Sequence, residues 1–276
     1  MRNMLQGAYD IHVHTSPDIV ERKCDDIELG RRLTEAGMAG CVIKGHFTET
    51  AGRARVLQKL YPDLTVRGGI VLNHFCGGLN PAAVEYCGKM GGRFVWMPTL
   101  DAWSFRHLAG NAEESGGIKL LDDCGNLVPA VYDVLDAAAQ YKMIVATGHV
   151  SAAEGLAVVR EAERRHLRTI LTHADYNHDR YSMEEQREAV YHGAIVEHSY
   201  YTIYHRLSEE EEMVREIREI GYKNVVLSTD FGQTNSGYPD EGILAYAELL
   251  LAQGFAESEV RHMIAVLPER LLRNTI

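Results

Sequence analysis

Short runs of apolar, β-branched residues recur along the chain, and each meets polar side chains within a few positions of its end. They are AYDIHVHT (8–15), GCVIKGHF (40–47), TVRGGIVLN (65–73) and RFVWMPT (93–99), then KMIVATGH (142–149), LRTILTHA (167–174), GAIVEHSY (193–200) and NVVLSTDF (224–231). Each is mostly apolar with little alternation, the pattern of a strand buried on both faces. Between them lie stretches whose apolar residues recur at helical spacing: DDIELGRRLTEAG, SAAEGLAVVREAERRH, SMEEQREAVYHG and SEEEEMVREIREIG. The last three open on a serine placed to cap the first turn, and Gly37, Gly193 and Gly221 stand where helices end.

Successive runs begin 32, 25, 28, 49, 25, 26 and 31 residues apart. That is one strand and one helix per interval, with one long insertion. Eight such units predict a single closed (β/α)8 TIM barrel over residues 1–276, with the insertion after strand 4 at about 100–128. Within it, GIKLLDDCGNLVPA reads as a hairpin turning at Gly125-Asn126, followed by a helix that starts at proline. Arg106, His107, Glu113 and Glu114 of the insertion are candidates for a lid.

Composition narrows the function. The formal charge is -11 and no dense cluster of Lys and Arg occurs, which argues against nucleic acid or an anionic membrane as partner. No apolar run reaches the roughly 18 residues that span a bilayer, and MRNMLQGAYD lacks the apolar stretch of a signal peptide. Five cysteines with no CxxC pair argue against a disulfide framework or a zinc knuckle. The expectation is a cytoplasmic protein acting on a small molecule, and a homo-oligomer, as barrels of this type commonly associate.

The polar groups at strand ends are the candidate chemistry, because barrels carry their active sites there. The first run offers His12 and His14, two apart and so on one face. The fifth ends at His149, the sixth at His173 and the eighth at Asp230. Each alone is as well explained by a structural role. Together, four imidazoles and a carboxylate at one rim suit a divalent ion, zinc foremost, with Mn, Fe, Ni or Co as alternatives. Lys44 and His46 end the second run; Asn73, His74, Trp96 and Thr99 end the third and fourth. With Tyr200 and Tyr201 after the seventh and Gln233 after the eighth, they are candidates for substrate binding. Arg53 and Arg55 are candidates for a substrate carboxylate.

DIHVH, ATGH, LTHAD and STD resemble the metal motifs of the amidohydrolase superfamily, in matching order along nearly the whole chain. TGHVSAAEG further resembles the fifth-strand segment of its dihydroorotase-like branch of small amidohydrolases. The resemblance implies metal ligation by His12, His14, His149, His173 and Asp230, and hydrolysis of a C–N bond in a small amide, lactam or cyclic imide. It implies that Asp230 moves the proton of the attacking water to the leaving group, and that His173 ligates or, with one ion, orients that water. Two-metal members bridge their ions with a lysine or glutamate from the fourth strand, and RFVWMPT has neither. Lys44 is the nearest substitute as bridge, with substrate binding or a structural ion pair as its other roles, so one or two ions remain open.

A lactone or phosphoester hydrolase fits the same ligands. The phosphoesterases of the polymerase-and-histidinol-phosphatase type also begin with HxH, and His46, Glu197 and His198 keep that reading in view. A metal-containing barrel that binds a ligand without turnover is the reading from a different class.

Overall fold

The computed structural model describes residues 4–108, 116–176 and 180–273. Glu113 and Glu114, two of the lid candidates, lie outside them. All eight expected strands form: β1 (Tyr9–Val13), β2 (Gly40–Ile43), β3 (Thr65–Val71), β4 (Phe94–Trp96), β5 (Ile144–Ala146), β6 (Thr169–Leu171), β7 (Ile195–Ser199) and β8 (Val225–Ser228). They make one sheet in sequential order, and the pairs from β1–β2 to β6–β7 are parallel. Beyond the end of β8, Val13 and Phe231 form a parallel bridge, which ties β8 to β1. The fold is a (β/α)8 TIM barrel.

The helices are α1 (Asp26–Glu35), α2 (Ala51–Leu60), α3 (Pro81–Lys89), α4 (Trp103–Leu108), α5 (Pro129–Gln140) and α6 (Ala152–Arg164). They continue with α7 (Met183–Tyr191), α8 (Tyr200–Tyr204), α9 (Glu210–Ile220), α10 (Pro239–Ala252), α11 (Glu257–Arg261) and α12 (Leu267–Leu272). Ser151 and Ser182 cap α6 and α7, each completing a reciprocal capping box with a glutamate three residues on. The third predicted serine cap does not form. Glu209, not Ser208, is the N-cap of α9, and its side chain makes no capping bond. Three glutamates in the first turn of α9 supply the negative charge that favours a helix N-terminus.

The insertion holds the predicted hairpin, with Leu121 bridged to Leu127 and Gly125 in the left-handed region at φ 81°. Pro129 then opens α5. The short helix α4 had no signal in the apolar pattern.

The chain divides into two compact units. The first is Met1–Gly45, Gly52–Gly68 and Glu197–Ile276; the second is His46–Ala51 and Gly69–Val196. In the second, Leu72, Val84, Val95, Val131, Leu135 and Val145 are fully buried in one apolar cluster. In the first, Ile11, Val13, Val42, Val226, Leu227 and Ile264 are buried to 1% exposure or less. Among the described residues no helix is long and apolar enough to cross a membrane.

Candidate metal centre

The first unit gathers four of the predicted residues: His12, His14, Lys44 and Asp230. His12 lies in β1 and His14 one residue past it, each only 1% exposed. Backbone bonds hold the chain leaving β8 against β1: Asp230 N–H donates to His12 O at 2.9 Å and His14 N–H to Phe231 O at 2.8 Å. The approach is so close that a Cβ on Gly232, at φ 145°, would lie 1.9 Å from the carbonyl oxygen of His14. Asp230 itself sits at φ 55°, a conformation Asp tolerates better than most residues and one that concentrates at functional sites. As a result, Asp230 Oδ1 lies 3.0 Å from Nε2 of both His12 and His14.

Two buried groups behind this trio orient it. Glu197 Oε1 lies 2.9 Å from His12 Nδ1 and accepts from Ser228 Oγ at 2.6 Å. A carboxylate only accepts, so Nδ1 carries the proton and Nε2 is the nitrogen that could ligate an ion. Asp10, fully buried, accepts from the backbone of His12 and of Thr229 and from the Thr229 hydroxyl, clamping β1 to β8. Burial pushes its carboxyl up to about 7.

The contacts at His12 Nε2 test whether a cation belongs here. Lys44 Nζ lies 2.9 Å from that atom, opposite in sense to the carboxylate at 3.0 Å. A neutral His12 can accept from the Lys44 ammonium but then faces Asp230 acceptor to acceptor. A protonated His12 satisfies Asp230 but then opposes the ammonium. With Lys44 charged, no single protonation state suits both; the two Nε2 atoms and Oδ1 together form a donor set suited to a divalent ion, which would favour a neutral or displaced Lys44. The candidate ligand atoms of His12, His14 and Asp230 lie within 4.8 Å of one another.

The electrostatics of His14 and Asp230 favour the metal-ready states, and those of His12 favour its protonated ring while no ion is bound. Burial drives the His14 pKa down to about 3, against the pull of Asp230, and so keeps the ring neutral. Burial also opposes ionisation of Asp230, but His12 and His14 outweigh it and hold the carboxyl well below its usual range. For His12 burial again pulls downward, and the carboxylates of Asp230 and Glu197 overcome it, so its pKa lies above the usual imidazole value.

The second unit holds the other two predicted ligands. His149, 7% exposed, and His173, 2% exposed, have ring centroids 4.9 Å apart. His149 is pinned through its backbone: its N–H donates to Pro98 O at 3.0 Å, and its carbonyl accepts from Ser104 Oγ at 2.9 Å. Gly148 makes that possible, since at φ 66° a Cβ there would meet Met97 O at 2.3 Å. His173, like Asp230, has a positive φ, 30°.

The substrate candidates divide by what they touch. Asn73 spends its whole amide on the scaffold. Nδ2 donates to His46 O at 3.1 Å and Thr99 Oγ1 at 2.8 Å, while Oδ1 accepts from the backbone of Thr99 at 2.8 Å and Asp101 at 3.3 Å. Thr99 Oγ1 also meets His46 Nδ1 at 2.8 Å. His74 Nε2 bonds Gly116 O at 2.6 Å, and Trp96 is buried, stacked on Phe94 at 5.1 Å. Tyr200 stacks on Tyr246 at 5.1 Å. Gln233 Nε2 donates to Asp230 O at 3.1 Å and its Oε1 accepts from Ser236 Oγ at 3.1 Å. His205 in turn meets Ser236 Oγ at 3.0 Å, so a line of bonds runs from it to the backbone of Asp230. Arg53 is wholly engaged by Asp26, Thr15 and the carbonyl of Pro17.

Glu197 as partner of His12, Asp10 as clamp and His205 as the end of the Gln233 line were not assigned these places from the sequence. Each depends on side-chain contacts between segments far apart in sequence, which the apolar pattern does not carry.

Residues 7–197 match a family of unknown function, DUF6282. The chain belongs to the DUF6282 family. No curated protein is similar to this DUF6282 member in sequence. Its fold is shared with an amidohydrolase from Pseudomonas aeruginosa, at TM-score 0.64 and 12% identity over 99% of this chain and 97% of that one. YjjV, a TatD homologue from Escherichia coli K12, aligns at 0.63 and 14% over 99% and 100%. A 2,6-dihydroxybenzoate decarboxylase from Rhizobium aligns at 0.56 and 14% over 97% and 98%. The resemblance of the DUF6282 chain to the amidohydrolase superfamily, first carried by its motifs, therefore extends to the fold.

Proposed function

We propose that this chain is a metal-dependent hydrolase acting on the C–N bond of a small amide, lactam or cyclic imide, with zinc as the favoured ion. The observation that carries the proposal is the meeting of His12 Nε2 and His14 Nε2 on one Asp230 oxygen, 3.0 Å from each, in a buried setting. His149 and His173, by their places past β5 and β6, are the further ligands in this reading. A divalent ion held there would lower the pKa of a bound water toward about 7 and so would supply a nucleophile at neutral pH.

The chain's own residues do the rest. Asp230 stays ionised and takes the water proton, then returns it to the leaving nitrogen. Glu197 holds the His12 ring in the ligating tautomer. Lys44, 1% exposed beside His12, is the position from which a second ion would be bridged. Ions counted per chain before and after Lys44→Ala decide between one ion and two.

Metal analysis of the purified protein, with turnover of an amide and imide panel by wild type and Asp230→Asn, tests the reading. The variant should keep much of its metal and lose hydrolysis. Unchanged turnover in Asp230→Asn removes the mechanism. Protein that carries no divalent ion, and gains no thermal stability from zinc or manganese, removes the site.

A further inference from the structure

The second unit carries a run of rings that, His149 aside, the hydrolytic chemistry leaves unexplained. Phe75 meets Phe47 edge to face at 5.2 Å, and Phe47 meets His46 at 6.2 Å. His46 lies 6.0 Å from His149, which Phe105 of α4 approaches at 4.8 Å. These rings come from separate places, the ends of β2, β3 and β5 and the insertion, yet each touches the next. They are not core. Phe75 is 70% exposed, and Phe47, His46 and Phe105 are half-buried. Single exposed apolar side chains are ordinary, but a connected strip of them marks a binding surface.

The polar groups around the strip are already committed. His46 Nδ1 is on Thr99 Oγ1, the Asn73 amide is on backbone and Thr99, and the Arg106 guanidinium is on Asp101. Arg106 is therefore engaged and not poised to pair with a substrate carboxylate. Edge-to-face packing leaves ring faces open for stacking, which aromatic groups favour beyond the area they bury.

We propose that the substrate presents a flat, uncharged aromatic or heteroaromatic ring that stacks on the strip formed by Phe47, Phe75, Phe105 and His46. This deepens the hydrolase reading and rests on it for the bond that is broken, but not for the ring preference. Benzamide and cyclohexanecarboxamide share a carboxamide head and differ in the flatness of the ring, so they serve as paired probes. Ligand-observed NMR on the full chain should give benzamide about tenfold tighter binding, the size expected of one good stacking contact. Phe105→Leu and Phe75→Ser should each narrow that gap. The exposed Phe75 can be changed without touching the core, so the test stands even if Phe105→Leu fails to fold. His12→Ala/His14→Ala removes the proposed ion and should keep the preference for benzamide, which separates this inference from the hydrolase reading. Equal affinities, no binding of either probe, or a gap that survives Phe75→Ser overturns it.

Discussion

In the first unit, the side chains at and just past the strand ends are charged and bonded to each other: Asp230 to two histidines, Glu197 to His12, Lys44 beside them. In the second unit the same positions carry rings and neutral hydrogen-bonding groups: His149 beside His173 and Phe105, Asn73 knitted to Thr99. The difference is one of what must be balanced. A buried charge left without its partner costs several kcal/mol, whereas a lost ring contact or neutral hydrogen bond costs about 1 kcal/mol. Changes in the first unit should therefore act through charge and metal, and changes in the second, its proposed ligands His149 and His173 aside, through packing and loop placement.

The sharpest contrast is expected in turnover. Asp230→Asn is isosteric and removes the charge, the proton acceptor and an anionic candidate ligand, so kcat should fall by about 10²- to 10⁴-fold. Next in size is Glu197→Gln. An amide in place of the carboxylate behind His12 should weaken metal binding by about 10- to 100-fold, read by competition with a fluorescent chelator. If affinity holds, Glu197 does not set the His12 tautomer.

Asn73→Ala inverts the pattern. It removes bonds to His46, Thr99 and Asp101 and should cost about 2–4 kcal/mol in urea unfolding, with metal affinity changed less than about twofold. A large loss of metal there would erase the distinction between the units. The smallest expected effect compares two serines. Ser182→Ala in the second unit removes a capping box and should cost about 1 kcal/mol. Ser208→Ala in the first should cost only a few tenths, because Glu209 occupies the N-cap.

Those serines also show where the sequence was readable. Both precede an acidic helix start, and only the turn geometry separates them. The strands were legible because an apolar run meeting a polar residue is a local signal, and all eight formed. Three strands, β4, β5 and β6, are only three residues long: in KMIVATGH the strand is Ile144–Ala146, since the chain leaves the ladder before it reaches Gly148 and His149. His12, His14 and Asp230 were legible as a set because two strand ends, of β1 and β8, offered ligand chemistry. Glu197 was visible only as a loose candidate, since its contact with His12 spans 185 residues of sequence. Asn73 resembles a substrate contact in sequence, because a polar amide at a strand end looks the same whether it faces a ligand or ties three loops together.

Gly232 has a consequence for anyone reshaping this protein. The segment Gln233–Tyr238 is rich in small and polar residues and invites randomisation for new specificity. The residue just before it is not negotiable, because any side chain at 232 would press on the carbonyl of His14. A library that varies 233–238 while holding 232 keeps the bench on which the first histidine pair rests. One that includes 232 would fill with variants whose failure says nothing about the substrate.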